Sequence, residues 1–286
     1  MAGFPITHLR ILYVGTMTTK NTDTTLNGTA TPNVPIVVSR QMDADHLFGI
    51  GSELAAQFRA GFANNWANET WALPVAESAA SVEAHGTITV KTPPTDAGTI
   101  SLYIAGYPVR VNIAATATVA EVAQQITDDI NALPHLPVTA TVATAVVTLK
   151  AKWGGVTGNE ITMTDSIYGT IGGEFLPPGL TLAYEAGATP TASFTLQGGV
   201  GFPDFTTAIA ALGETEYEYV SLPYLDSTSL LAWETEYGFS DSGRWGWMRQ
   251  LYGHLFSAKR DTYSNLVTWG LTRNGKVTSV LALEPT

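Results

Sequence analysis

Glu214, Glu216 and Glu218 recur at every second position, and a pair of carboxylates is what glycoside hydrolysis needs for its acid and its nucleophile. Alternation at period two places all three on one side of an extended strand. A catalytic pair instead flanks a cleft from separate elements, so a solvated strand face is the plainer reading. The five histidines, His8, His46, His85, His135 and His254, stand singly, with no short His/Asp/Glu spacing that gathers three ligands around zinc. Ser52 follows Gly49-Ile50-Gly51 in the manner of a phosphate loop. No Lys follows to reach a phosphate, and no Gly-x-Ser-x-Gly elbow presents a serine for acyl transfer. The chain has no Cys, which removes disulfides, thiolate catalysis and thiolate metal sites together. Neither a catalytic residue nor a metal or cofactor site is expected.

The seven tryptophans, Trp66, Trp71, Trp153, Trp233, Trp245, Trp247 and Trp269, could include a platform for stacking sugars, although most Trp in a chain of this size is core or interface. One cluster stands apart. Arg244-Trp245-Gly246-Trp247, with Arg249 close behind, combines the two residue types most enriched at binding hot spots. Arg244, Trp245, Trp247 and Arg249 are therefore the candidate subunit interface.

The elements that must hold these residues can be read from periodicity. Ser52 can cap a helix whose Leu54, Ala55, Phe58, Phe62 and Trp66 form one apolar stripe, with Glu53 favourably placed at its positive end. Residues 8–15, 34–39 and 71–75 read as strands around it, Pro74 favouring an edge or a strand end. From about Gly86 to Gly199 the texture changes to Thr/Val/Ile alternation, with strands over 86–90, 98–104 and 107–113, the last two joined by a tight Ala105-Gly106 turn. A helix from Val119 to about Ala132 follows, announced by the capping box Thr118-Val-Ala-Glu121, and then a hairpin over 138–151. This module reads as βββαββ, with further strands at 161–163 and 180–184. Beyond Phe202 the helix–strand rhythm resumes: a helix from Asp204 to Leu212 ended by Gly213, a strand over 217–224, a helix capped by Ser227 or Thr228, a strand over 252–258 and a helix after Asp261. The fold class expected is mixed α+β and α/β. Residues 1–85 and 200–286 make a discontinuous α/β domain, and 86–199 an inserted β-rich domain.

With 286 residues, 45% of them hydrophobic and 14% charged, the chain can bury two cores. A net charge of -11 argues against binding a phosphate backbone, and no run of about 18 apolar residues spans a bilayer. The start lacks a signal-peptide pattern, so a soluble protein made in the cytosol is expected, with no direct nucleic-acid contact and no membrane insertion. Between Trp153 and Gly243 there is no Lys or Arg, whereas Arg244, Arg249, Lys259, Arg260, Arg273 and Lys276 follow close together. The two runs either form solvated faces or neutralise each other within the fold, or they dock between copies.

Several segments together resemble the tail sheath proteins of Mu-type contractile phages and prophages. They are Leu47-Phe-Gly-Ile-Gly-Ser-Glu-Leu-Ala55, Trp71-Ala-Leu-Pro-Val75, Gly98-Thr-Ile-Ser-Leu-Tyr-Ile-Ala-Gly106, Leu136-Pro-Val-Thr-Ala140, Val147-Thr-Leu-Lys-Ala-Lys-Trp-Gly-Gly155, Gly158-Asn-Glu-Ile-Thr162 and Tyr219-Val-Ser-Leu-Pro-Tyr-Leu-Asp226. The resemblance implies a non-enzymatic virion subunit that stacks in hexameric rings around a tail tube and contracts to drive the tube through the host envelope. Its partners would be other copies, the tube protein, the baseplate and the tail terminator. Terminal arms that exchange strands between subunits are usual in the family, and this sequence is expected to lack both. A trimmed core that is monomeric or weakly associating in isolation is thus expected. The alternative from another class is a carbohydrate-binding or adhesive virion module, using Trp153 and the β-rich insertion.

Overall fold

The computed structural model describes residues 9–19, 24–64, 68–185 and 193–284. They form two compact units: the described parts of Met1–Thr19, Asn27–Glu77 and Phe202–Thr286, and those of Lys20–Leu26 and Ser78–Gly201. His8 and Trp66, read above as part of a strand and of a helical stripe, lie outside the described residues.

The first unit opens with β1 (Arg10–Thr16), whose Leu12 and Val14 are buried on one face while Tyr13 packs on the other. After the two-residue β2 (Ile36–Val37) comes α1 (Gln41–Phe48), a helix that the periodicity did not show because only Ala44 and Phe48 of its mostly polar run are buried. Ser52 caps α2 (Glu53–Asn64) as expected, the Ala55 amide donating to its Oγ at 3.1 Å. Leu54 and Phe58 are buried and Phe62 packs beside them. β3 (Glu69–Val75) pairs in parallel with β1 along its whole length, while β2 reaches only Trp71 and Ala72, so Pro74 lies past that short edge.

The second unit runs through β4 (Glu83–Thr92), β5 (Gly98–Ile104), β6 (Tyr107–Ile113), α3 (Val119–Asn131), β7 (Val138–Ala143), β8 (Val146–Gly154), β9 (Thr162–Asp165), β10 (Thr181–Glu185) and β11 (Ser193–Thr195). The capping box is complete: the Glu121 amide donates to Thr118 Oγ1 and the Thr118 amide to Glu121 Oε2. Val122, Ile126 and Ile130 are buried on the face that this box sets. The βββαββ order is present as β4-β5-β6-α3-β7-β8, but these strands do not share one sheet. The strands form two sheets, in the orders β10-β4-β8-β7 and β11-β9-β5-β6, and β4 pairs with β8 and β10 rather than with β5. Pro93 and Pro94 follow β4 and cannot donate to a ladder, so no tight hairpin forms and β5 starts the other sheet. Ile88 and Leu149 from one sheet, Leu102 and Val111 from the other, and Ile126 of α3 share a single core.

The chain returns to the first unit with α4 (Thr206–Ala211), β12 (Tyr219–Ser221), α5 (Ser227–Glu236), β13 (His254–Arg260), α6 (Tyr263–Leu271) and β14 (Thr278–Leu283). The six-stranded sheet has the order β14-β13-β12-β1-β3-β2, all neighbours parallel except β2 with β3. Mixed helices and sheets of the expected class are thus present. Several local readings change: Phe205, not Asp204, stands at the N-cap of α4, and Asp204 accepts from the Thr206 amide and hydroxyl. Asp226, not Ser227 or Thr228, caps α5, taking the Ser229 amide at 2.8 Å. Asp261 accepts from the Thr262 amide and from the Asn265 side chain instead of capping α6. The strand expected over 217–224 shrinks to three residues, and β14 had no counterpart. A parallel sheet must be covered on both faces. Accordingly α1 and α2 pack against Ala72 and Tyr13, and α4 and α5 against Leu12, Val14, Val220 and Leu255 on the opposite face.

Between β1 and β12, where connections leave the sheet in opposite directions, Glu53 is buried. Its Oε2 accepts from the Thr16 amide at 2.8 Å, the Thr16 hydroxyl at 2.9 Å and the Tyr224 hydroxyl at 2.7 Å. Burial, and then the Glu53 charge, hold the Tyr224 hydroxyl far above its ordinary pKa. Glu53→Ala orphans three buried donors at roughly 1–3 kcal/mol each. Urea denaturation is expected to show a loss of at least about 3 kcal/mol, against about 1 kcal/mol for Tyr224→Phe, which removes one bond.

In the second unit the buried Lys152 donates to the Pro134 carbonyl at 2.6 Å, and burial lowers its pKa from 10.5 to about 8. Between those two values the unfolded chain holds a proton that the folded chain has released, so this group adds stability as pH rises through that window. From pH 7.5 to pH 10 the stability of the parent relative to Lys152→Met is expected to rise by about 2 kcal/mol. Denaturant titrations at both pH values measure it, and a constant difference refutes it.

Candidate functional site

The candidate residues lie on the loop from Gly238 to Gly253, between α5 and β13, and the structure divides them between two roles. Arg244 is fully buried. Its Nε donates to Glu236 Oε1 at 2.8 Å, and its two terminal nitrogens donate to the Thr215 carbonyl at 2.6 Å and the Gly213 carbonyl at 2.8 Å. The guanidinium also stands 5.2 Å from the Tyr237 ring centre, and burial pushes that phenol's pKa up. A planar fork with donors on three sides suits this work, because it ties α5, the turn after α4 and the loop together at one point.

Arg249 shares Glu236 Oε1 at 3.0 Å, reaches Glu214 at 3.3 Å, and donates to the Ser242 and Gly213 carbonyls. Trp245 is half-buried, its indole N–H donating to the Gly253 carbonyl at 2.7 Å and its ring 4.8 Å from that of Tyr252. Trp247 is different: 71% exposed, it donates its indole N–H to Asp241 at 2.8 Å. Met248, Phe239 and Tyr252 are also exposed on the same loop, Phe239 and Tyr252 with their rings against Trp245. Of the four residues, Trp247 alone presents a large exposed surface, and the three other exposed apolar residues of the loop were missed. Their signal was present in the sequence as a density of large apolar residues in a Gly/Ser-rich loop.

The other readings resolve in the same way. Glu214, Glu216 and Glu218 precede β12 and share no strand face: Glu214 pairs with Arg249, Glu216 accepts from the Tyr252 amide, and Glu218 accepts from the Arg10 amide. The acidic and basic runs meet in part inside the first unit, through Arg244 and Arg249 on Glu236, Arg249 on Glu214, and Arg273 on Glu234. Trp153, offered as a sugar platform, is 5% exposed and donates to the Thr157 hydroxyl. Among the six described tryptophans only Trp247 is exposed.

No protein-family model matches the chain. Over 255 residues, 89% of its length, it is 33% identical to the Mu-like prophage FluMu tail sheath protein of Haemophilus influenzae. The match takes in 49% of that protein, so the chain spans about half the length of the curated relative. The resemblance read from the sequence is borne out over most of the chain. Sheath tail proteins of Desulfitobacterium hafniense (10% identity, TM-score 0.33, 88% of this chain and 49% of that one) and of Listeria innocua (8%, 0.30, 88% and 48%) also align. At such scores the superpositions add nothing to the sequence match.

The two roles on the loop separate on substitution. Arg244→Met removes the donor of the Thr215 carbonyl and leaves Glu236 and the Gly213 carbonyl to Arg249 alone, and is expected to cost about 2–3 kcal/mol. Trp247→Ala, at an exposed position, should change stability by no more than about 0.5 kcal/mol. Chemical denaturation of the two variants side by side checks the contrast, and equal costs would remove the distinction.

Proposed function

We propose that this relative of the Mu-type tail sheath proteins is a structural subunit of a contractile phage tail, located in the virion and assembled in the cytoplasm of the bacterial host. The observation that carries the reading is the extent of the match: 255 of 286 residues leaves too few for either compact unit to fall outside it. In this role the whole protein stacks as hexameric rings around the tail tube, meets the baseplate and the tail terminator at the ends, and contracts to drive the tube through the envelope. No catalytic step is part of it.

Contraction is a rigid-body rearrangement, in which subunits change neighbours without changing their own fold. That demands internal ties stronger than the exchanged contacts. Glu53 with its three donors and Arg244 with its three acceptors are ties of that kind. Trp247, with Phe239, Met248 and Tyr252, is the surface assigned to exchange, since large aromatics carry most of the energy at interfaces.

Negative-stain electron microscopy of this chain beside a version extended at both ends to the length of its curated relative tests the proposal. Tubes or stacked rings are expected from the extended protein, with fewer of them when Trp247 is changed to Ala. Dispersed particles from the extended protein overturn the sheath reading, and undiminished tubes from the variant overturn the role given to Trp247.

A further inference from the structure

Two Asn-Gly dipeptides occur in the chain, Asn27-Gly28 and Asn274-Gly275. The side-chain carbonyl carbon of an asparagine lies within reach of the next backbone nitrogen, which can close a five-membered ring on it. Glycine permits this most readily, because no Cβ crowds the approach. The reaction has a strict geometry: the glycine amide must give up its proton and swing onto that carbon, so the peptide between the two residues has to turn. What holds the glycine amide therefore decides whether an Asn-Gly pair reacts.

The two sites differ on this point. Gly28 donates its amide to the Thr18 carbonyl at 2.8 Å, and a Cβ on Gly28 would stand 2.7 Å from the Leu47 carbonyl oxygen and 2.8 Å from Met17 Cε. Asn27 also forms a β-bridge with Gly49. This peptide is gripped on both sides and turns only if the local structure opens. Asn274 and Gly275 are exposed between α6 and β14, and neither the Gly275 amide nor the Asn274 side chain has a hydrogen bond among the described residues. Their flanks are fixed. Arg273 donates its amide to the Gly270 carbonyl at 3.0 Å and its guanidinium to Glu234 at 2.8 Å, while Val277 is buried and accepts from the Leu255 amide at 2.9 Å. The reactive peptide thus sits in a short span between two anchors.

We propose that Asn274 is a site of spontaneous deamidation in this chain. The Gly275 nitrogen attacks Asn274 Cγ and loses its proton to water; the Cγ–Nδ2 bond breaks, and Nδ2 departs as ammonia. Water then opens the resulting succinimide at either carbonyl. Breaking the new N–Cγ bond gives aspartate, and breaking the original peptide bond gives isoaspartate. Either product makes the net charge one unit more negative than -11 and sets a further carboxylate next to the Arg273–Glu234 pair. Isoaspartate also adds one carbon to the main chain between α6 and β14. On one side that longer link has no room, since even a Cβ on Gly275 would run into the Glu234 carboxylate. The modification follows from local geometry and is independent of the sheath reading.

Peptide mapping by mass spectrometry tests this, with the chain held at mildly alkaline pH in buffer and, in parallel, in concentrated urea. In buffer Asn274 is expected to convert at least about tenfold faster than Asn27, whose glycine amide must first be released. In urea, with that grip removed, the two sites should convert at similar rates. Asn274→Gln, which would have to close a six-membered ring, should abolish conversion at that peptide and leave the circular dichroism unchanged. Equal conversion of the two sites in buffer overturns the proposal, as does an Asn274 left intact in buffer. Undiminished conversion in Asn274→Gln overturns the ring-closure route.

Discussion

A carboxylate sealed into the crevice between β1 and β12 is the constraint on which the first unit depends. In open parallel sheets this crevice, outside the carboxyl ends of the strands where the connections diverge, is where ligands ordinarily sit, because helix N-termini and backbone amides converge on it. Here the first residue of α2 occupies it. Glu53 accepts from Thr16 at the end of β1 and from Tyr224 just past β12, so the donors that could greet a phosphate are already engaged by the protein's own side chain. One charge thereby docks α2 on β1 and fixes the turn after β12. A position suited to binding chemistry has become part of the core.

Arg244 applies the same logic to the loop before β13. Breaking a buried charge pair by removing one partner costs far more than the intact pair contributes. A fully satisfied buried charge therefore acts chiefly by making every alternative arrangement expensive. Glu53 and Arg244 are both satisfied, and both join elements distant in sequence. Much of the ionic chemistry of the first unit is turned inward in this way, while large apolar side chains such as Trp247, Leu271 and Leu281 are turned outward. An active site commonly has the reverse arrangement, with polar groups converging on a cavity.

What was legible in the sequence was whatever a few neighbouring residues decide. Ser52 and the Thr118–Glu121 box announce helices because a cap is a local hydrogen bond. The Ala105-Gly106 turn announces a hairpin because positive φ is a local demand. Strand partners were not legible: β4 and β5 carry similar apolar alternation, and only the prolines between them hint that they belong to different sheets. The candidate interface was legible in composition but not in depth. Arg244 and Trp247 lie three residues apart in one Gly-rich loop, yet the first is enclosed by carbonyls at Gly213 and Thr215, about thirty positions away in the chain. No local pattern reports that contact.

The two edges of the six-stranded sheet differ in a way that bears on assembly. Exposed strand edges invite association, and proteins blunt them with short strands, prolines or charges. At one side β2 is two residues long, directly follows Pro35, and pairs antiparallel to its neighbour. At the other, β14 is six residues of Thr-Ser-Val-Leu-Ala-Leu with neither proline nor charge. The same sheet therefore contains one edge built to face water and one that carries none of those protections. Because Lys276 and Glu284 stand just outside β14, at its two ends, the strand's own charges flank the open edge without guarding it.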